Sequence, residues 1–194
     1  MGTSDYTVAR LATELRQARE HAHDETDMLS RLVSIVRQAV AAKADWLRPE
    51  MCRPDPVQGF GVYLLHEEAD HELAVLVASW LPGRGTPPHD HGTWAVVAAM
   101  DGAESNTMWE RQDDGTRPGF ADLKRCSDTL LASGDVIAMR EGTIHSVWNH
   151  SDRLTVSLHI YGRHINHTNR SQFDPEMRTS APYKLTTMGE GVRS

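Results

Sequence analysis

The sequence predicts a mainly β protein carrying α-helices at its N-terminal end, and two observations predict it. From Gly59 onward short β-rich runs follow one another: "FGVYLLHE", "HELAVLVASWL", "TWAVVAAM", "DVIAM", "HSVWN" and "LTVSLHIYG". Turn-forming stretches separate them, namely "PGRG", "DG", "QDDGTRPG", "SGD", "REG" and "NHSD". Many short strands at this spacing point to an antiparallel sandwich or barrel rather than to βαβ units. Before residue 47 the period is different. Val8, Leu11 and Leu15, then Met28, Leu32, Ile35, Val36 and Val40, recur at three- and four-residue steps, as on one face of a helix. "HAHDETD" divides two helices, with Asp24 or Thr26 available to cap the second.

The 194 residues, 39% of them apolar, suffice for one well-buried domain over 1–194: helices in 1–47, a β-barrel in 59–165 and a polar, irregular wrapping tail in 166–194. A formal net charge of -7 without a basic run argues against nucleic acid and leaves small molecules as partners. No stretch approaches the roughly 18 apolar residues of a membrane span, and the N-terminus lacks an apolar signal core. Two cysteines, Cys52 and Cys126, are too few for a disulfide framework, so a cytoplasmic location is expected. Both read as structural. The oligomeric expectation is a monomer or a homodimer.

Chemistry concentrates in the histidines. His21, His23, His66, His71, His150, His164 and His167 sit in polar helix, turn or loop surroundings and read as ordinary surface residues. "PPHDHGTW" is different: if extended, it turns His89 and His91 to one face, where two imidazoles can share a metal. Reading outward, Gly83, His89, His91, Ala95 and Gly102 reproduce the spacing of the first cupin motif, with Ala95 where that motif usually carries a glutamate ligand. Gly134, Arg140, Glu141, Gly142, His145 and Asn149 reproduce the second, Arg140 replacing a customary proline. The chain therefore resembles a cupin. That resemblance implies a double-stranded β-helix (jelly-roll) barrel with the N-terminal helices packed outside it, and a metal on His89, His91 and His145. Three neutral imidazoles leave a divalent ion its full charge and three open octahedral positions, which favours an anionic chelating substrate. Zinc would accept the same ligands, but no general base is positioned nearby, so iron(II) is expected.

Downstream, "SLHIYG" places Ser157, His159 and Tyr161 at alternating positions of a strand, facing one way. Here the sequence resembles the cysteine dioxygenase family of thiol dioxygenases, in its bacterial form, in which a Ser-x-His-x-Tyr run lies beside a three-histidine iron. The resemblance implies that Tyr161 directs its hydroxyl at oxygen or substrate, that His159 orients Tyr161, and that Ser157 fixes His159 in one tautomer. The implied reaction is oxidation of a small mercapto acid to its sulfinate by O2. Val62 stands where the family holds the substrate carboxylate with Arg or Gln, so Arg170, Arg84 and Arg163 become the candidate anchors. A dicarboxylate such as mercaptosuccinate would suit two spread arginines, and 3-mercaptopropionate and a cysteine-like thiol are the other candidates. The rival readings are a three-histidine dioxygenase that cleaves a carbon–carbon bond in a β-diketone-like substrate, and a non-catalytic metal-binding cupin. Alternation turns Trp94 and Trp148 away from the histidines, toward the helices, and Met100, Met108 and Met139 read as core.

Overall fold

The computed structural model describes residues 6–185 and 189–190. Helix α1 (Val8–Glu20) starts where the Thr7 hydroxyl accepts from the Arg10 N–H at 3.1 Å. Helix α2 (Glu25–Ala41) is capped by Asp24, whose carboxylate accepts from the Asp27 N–H at 2.9 Å. Either cap satisfies an N–H with no partner inside its helix. A short α3 (Lys43–Trp46) follows. Leu11, Leu15, Leu32 and Val36 form the buried stripe that the spacing predicts.

The β elements are β1 (Phe60–Glu67), β2 (Ala74–Trp80), β3 (Ala95–Asp101), β4 (Ala103–Arg111), β5 (Leu123–Ala132), β6 (Val136–Met139), β7 (Ile144–Trp148), β8 (Thr155–Tyr161), β9 (Ser171–Asp174), β10 (Thr179–Pro182) and β11 (Gly189–Glu190). One sheet runs β11-β1-β2-β8-β3-β6, antiparallel except for β1 with β11. A second runs β5-β4-β7, and β9 pairs with β10. Among the described residues the protein is thus mainly β, built of antiparallel sheets with three α-helices.

Strands β2, β3 and β8 are buried along nearly their whole length because both faces are covered. Val75, Val77, Val96, Ala98, Leu158 and Ile160 pack with the helices, while Leu76, Ala78, Ala95, Val97 and Tyr161 join the opposite, inner cluster. Such burial favours near-continuous apolar runs, which is what "AVLVASW" and "AVVAAM" are.

The segment before β3 is the part that positions the histidines. Thr86 N–H donates to Val147 C=O at 2.9 Å, and Asn149 N–H to Arg84 C=O at 2.8 Å. His89 and His145 then exchange both backbone bonds, at 2.8 and 3.0 Å. Residue 89 also bridges to Gln172 of β9, so residues 85–89 lie between β7 and β9 like a strand.

Several expectations need correction. β4 and β5 are absent from the sequence reading, because "AESNTMWER" and "LKRCSDTLLA" mix polar side chains onto both faces, and β5 is mostly exposed. The tail is more regular than expected: β9 and β10 form a hairpin and Phe173 is buried, while residues 186–188 and 191–194 lie outside the described residues. Trp94 packs against the helix-side core as expected, but Trp148 is 42% exposed beside His150 rather than against the helices. Both cysteines are free, and the exposed Cys126 thiol lies 3.5 Å from the Lys124 carbonyl oxygen. No helix among the described residues is long and apolar enough to cross a membrane.

Gly85 approaches β7 so closely that a Cβ would sit 2.0 Å from the Val147 carbonyl oxygen, which only backbone movement can relieve. Gly85→Ala is expected to lower stability by about 1–3 kcal/mol and to weaken metal binding, measured by urea unfolding and metal titration. Unchanged metal affinity would show that this pairing does not set the histidine geometry.

Candidate metal centre

His89, His91 and His145 converge from two elements: the strand-like segment before β3 supplies the first two, and β7 supplies the third. All three are buried, and their ligand nitrogens lie within 4.8 Å of one another. Gly92 turns the chain at φ 62° after His91, and the Thr168 hydroxyl donates to the His91 carbonyl at 2.8 Å. The loop is held from both sides.

Hydrogen bonds decide which nitrogen faces inward. His89 Nδ1–H donates to the Pro87 carbonyl at 2.9 Å, and His145 Nδ1–H donates to Asn106 Oδ1 at 3.0 Å. Nε2 of each ring is then left with a lone pair. His145 Nε2 lies 3.3 Å from His91 Nε2. That is the spacing expected of two nitrogens sharing a cation at the roughly 2.0–2.1 Å of a metal–imidazole bond. Burial pushes the pKa of all three below the ordinary 6.5, that of His145 to about 4, and neighbouring positive groups add to the effect for His89 and His91. Neutral imidazoles with oriented lone pairs form a donor set that fits a divalent metal.

Glu67, His164 and His167 also bring ligand atoms within 4.8 Å. Their chemistry is less suited to a metal. His164 Nδ1 accepts from the Asn166 N–H at 3.2 Å, which puts the ring proton on Nε2, and exposed His167 stacks at 3.5 Å on His71.

The three histidines line a small cavity. Val62, Leu76, Ala78 and Ile165 give it apolar walls, and His159, Tyr161, Arg170 and Tyr183 supply polar groups. Ser157, His159 and Tyr161 form a continuous chain: Ser157 Oγ to His159 Nε2 at 2.9 Å, and His159 Nδ1 to Tyr161 Oη at 2.9 Å. The Tyr161 ring lies 5.0 Å from that of His91. Burial drives His159 to about 3, so it is neutral, and pushes the Tyr161 phenol up.

Of the three candidate arginines only Arg170 reaches the cavity. It is 4% exposed, donates through Nε to the Tyr183 carbonyl at 2.8 Å, and lies 4.2 Å from the Tyr183 ring centroid. Its Nη2 is buried with no partner. Arg163 instead pairs with Glu72 at 2.5 Å, and the Arg84 side chain lies over Gly59. Neither lines the cavity.

Sequence reasoning missed Asn106, Glu104 and Tyr183. The first two sit at alternating positions of unpredicted β4, and Tyr183 follows β10 in the tail. Glu104 is 1% exposed, and burial pushes its pKa from the ordinary 4.5 up to about 7, against the hydroxyls of Ser157 and Thr155, which pull it down. A buried acid two residues from a buried amide on a strand signals an inward polar face. Without that strand assigned, the signal had no context.

No family model matches the chain. Among solved structures, an oxalate oxidase in complex with the substrate analogue glycolate is 17% identical, with a TM-score of 0.44, over 56% of this chain and 53% of its own. The chain thus matches about half the length of that protein. An uncharacterized conserved Klebsiella pneumoniae protein with a double-stranded β-helix domain is 15% identical, with a TM-score of 0.46, over 64% of this chain and 92% of its own. A cupin superfamily protein from Desulfitobacterium hafniense is 13% identical, with a TM-score of 0.42, over 58% and 82%. Likeness at this level carries no functional argument.

Two predictions follow from the supporting side chains. Asn106→Leu strands the His145 Nδ1–H and should weaken divalent-metal affinity about 10–100-fold, read by chelator competition; wild-type affinity would remove Asn106 from the site. Glu104 keeps its proton in the folded state at a pH where the unfolded chain has lost it. Its contribution to stability is therefore complete below about pH 4.5 and lost as pH rises through about 7. The difference in urea midpoint between wild type and Glu104→Gln should shift across that window, and a pH-independent difference would show that Glu104 does not titrate so.

Proposed function

We propose that the protein is a non-haem iron(II) thiol dioxygenase of cupin, double-stranded β-helix, architecture, which oxidises a small mercapto acid to its sulfinate. The observation that carries this reading is one cavity that combines three neutral histidines, a Ser157–His159–Tyr161 hydrogen-bond chain and a single buried arginine. Iron(II) on His89, His91 and His145 would supply a binding site for thiolate and dioxygen. Thiol plus O2 yields sulfinic acid with every electron coming from sulfur, so no second cofactor is required.

The chain's own residues narrow the substrate. Arg170 can take a carboxylate on its unpartnered Nη2, and the guanidinium is held for that role by Tyr183 from the side. Val62 leaves the usual anchor position apolar, so the carboxylate has one cation to reach, not two. That weighs against a dicarboxylate. Among the described residues no acidic side chain lines the cavity, so an ammonium group such as that of cysteine would find no counter-ion among them. A mercapto monocarboxylate without an amine, in the manner of 3-mercaptopropionate, fits best. Tyr161 orients an oxygen of the substrate or of dioxygen by a hydrogen bond, and the apolar walls exclude water and strengthen it.

The test is oxygen uptake by iron-loaded protein against 3-mercaptopropionate, mercaptosuccinate and cysteine, with product mass recorded. Uptake with a two-oxygen mass gain, fastest for 3-mercaptopropionate, is expected. Arg170→Ala should raise KM by on the order of 10–100-fold, since one charge-assisted hydrogen bond contributes about 1.5–3 kcal/mol. Tyr161→Phe should keep the metal and lower kcat. Bound iron with no uptake on any thiol would overturn the reading, and consumption of a β-diketone instead would favour carbon–carbon cleavage.

A further inference from the structure

The hydrogen-bond chain on β8 runs from Tyr161 through His159 to Ser157, and beyond Ser157 stands a buried acid, Glu104. The turn between β3 and β4 crosses the start of β8 at Gly102, whose φ of +73° and lack of a side chain permit the approach: a Cβ there would lie 2.7 Å from Thr155 Cγ2. Two residues on, Glu104 turns inward, and its carboxyl faces the hydroxyls of Ser157 and Thr155. The site is buried, with Glu104, Thr155 and Ser157 each 0–1% exposed. Glu104 Oε1 and Thr155 Oγ1 have no hydrogen-bond partner among the described residues, and no cation offsets the carboxyl. Glu104 does not line the cavity, so it would act only through its neighbours.

A chain of this kind has a direction, because Ser157 has one hydroxyl proton and neutral His159 has one ring proton. If Glu104 carries a proton, it donates to Ser157 Oγ, Ser157 donates to His159 Nε2, and His159 Nδ1–H donates to Tyr161 Oη. The Tyr161 proton is then free to point into the cavity. If Glu104 is a carboxylate, every bond reverses: Ser157 donates to Glu104, His159 Nε2–H to Ser157, and Tyr161 to His159 Nδ1. Tyr161 would then offer the cavity lone pairs alone. One proton three residues away decides whether the phenol is a donor or an acceptor. A carboxylate buried without a counter-ion is strongly disfavoured, which selects the first arrangement.

We propose that Glu104 is a positioning residue that heads a four-residue chain, Glu104–Ser157–His159–Tyr161, and that by holding its proton it fixes Tyr161 as a hydrogen-bond donor toward the metal cavity. The use made of that donor rests on the thiol dioxygenase reading; the direction of the chain does not.

The experiment exploits this independence. In metal-free protein labelled with 15N-histidine at pH 6, ring nitrogen shifts report which His159 nitrogen bears the proton, the resonances being assigned by their loss in His159→Gln. The wild type is expected to show the Nδ1–H tautomer. Glu104→Leu removes the donor to Ser157 and should convert His159 to a mixture or to the Nε2–H form, whereas Glu104→Gln, whose amide N–H can replace the acid O–H, should restore Nδ1–H. An Nε2–H tautomer in wild type, or a tautomer unmoved by Glu104→Leu, overturns the proposal, and the wild-type measurement stands even where a variant fails to fold. If a thiol is turned over, Glu104→Leu should lower kcat without raising KM, and combining it with Tyr161→Phe should lower kcat no further than Tyr161→Phe alone. Additive losses would mean that Glu104 acts elsewhere. Should no thiol be turned over, the tautomer result still decides the chain's direction, so failure of the functional reading and failure of this one remain distinct.

Discussion

The paired backbone bonds between His89 and His145 are the constraint from which the rest of the site follows. Directly opposed, hydrogen-bonded residues of an antiparallel pair have Cα atoms about 5.5 Å apart, with side chains on the same side of the sheet. Two imidazoles are thus brought together by the ladder itself, before any side-chain interaction is counted. Alternation then adds His91 to the same face, and the turn at Gly92 fixes its carbonyl for Thr168. The prolines of the segment "GTPPHDHG" contribute acceptors: the Pro87 carbonyl takes the His89 Nδ1–H and the Pro88 carbonyl the Phe173 N–H, at 2.9 and 2.8 Å.

A second constraint is dielectric. The sheet that carries β8 is covered by α1 and α2 on its outer face and by an apolar cluster on its inner face, so Ser157, His159 and Tyr161 are buried. That burial favours neutral forms throughout: histidines below their ordinary pKa, Tyr161 and Glu104 above theirs. Polar groups in so buried a site hold position only when partnered, which Asn106 does for His145 and Ser157 for His159.

What was legible in the sequence divides along physical lines. Strands buried on both faces announce themselves as apolar runs, and the alternating Ser157, His159 and Tyr161 stand out because their neighbours Leu158 and Ile160 belong to the helix-side core. Alternation paired His89 with His91, and His145 joined them only through the resemblance to the second cupin motif. β4 escaped detection because its inward residues are Glu104 and Asn106, so a polar face mimics exposure; the residues that orient the ligands and head the relay were lost with it. The arginines show another limit. Arg84, Arg163 and Arg170 are equivalent in one dimension, and only the hairpin of β9 and β10, too short and polar to predict, carries one of them over the cavity.

Charge balance links these parts. Ala95 leaves the three imidazoles without an anionic companion, and Arg170 adds a further positive charge that already helps depress the pKa values of His89 and His91. A divalent ion in the same cavity would raise the positive charge to about three, with no anion among the described residues that line it. Such a cavity is electrostatically incomplete until an occupant brings negative charge, and it brings the most stabilisation when that charge is split between the histidine end and the arginine end. A molecule with a thiolate at one end and a carboxylate at the other meets the condition, whereas a diketone bound at the histidine end as its enolate would leave Arg170 buried and unpaired. Tyr161 lies beside His91 between these ends, and a phenol that donates rather than accepts adds one more positive edge to the same field. The direction of the Glu104 chain thus has the sign that the rest of the cavity requires.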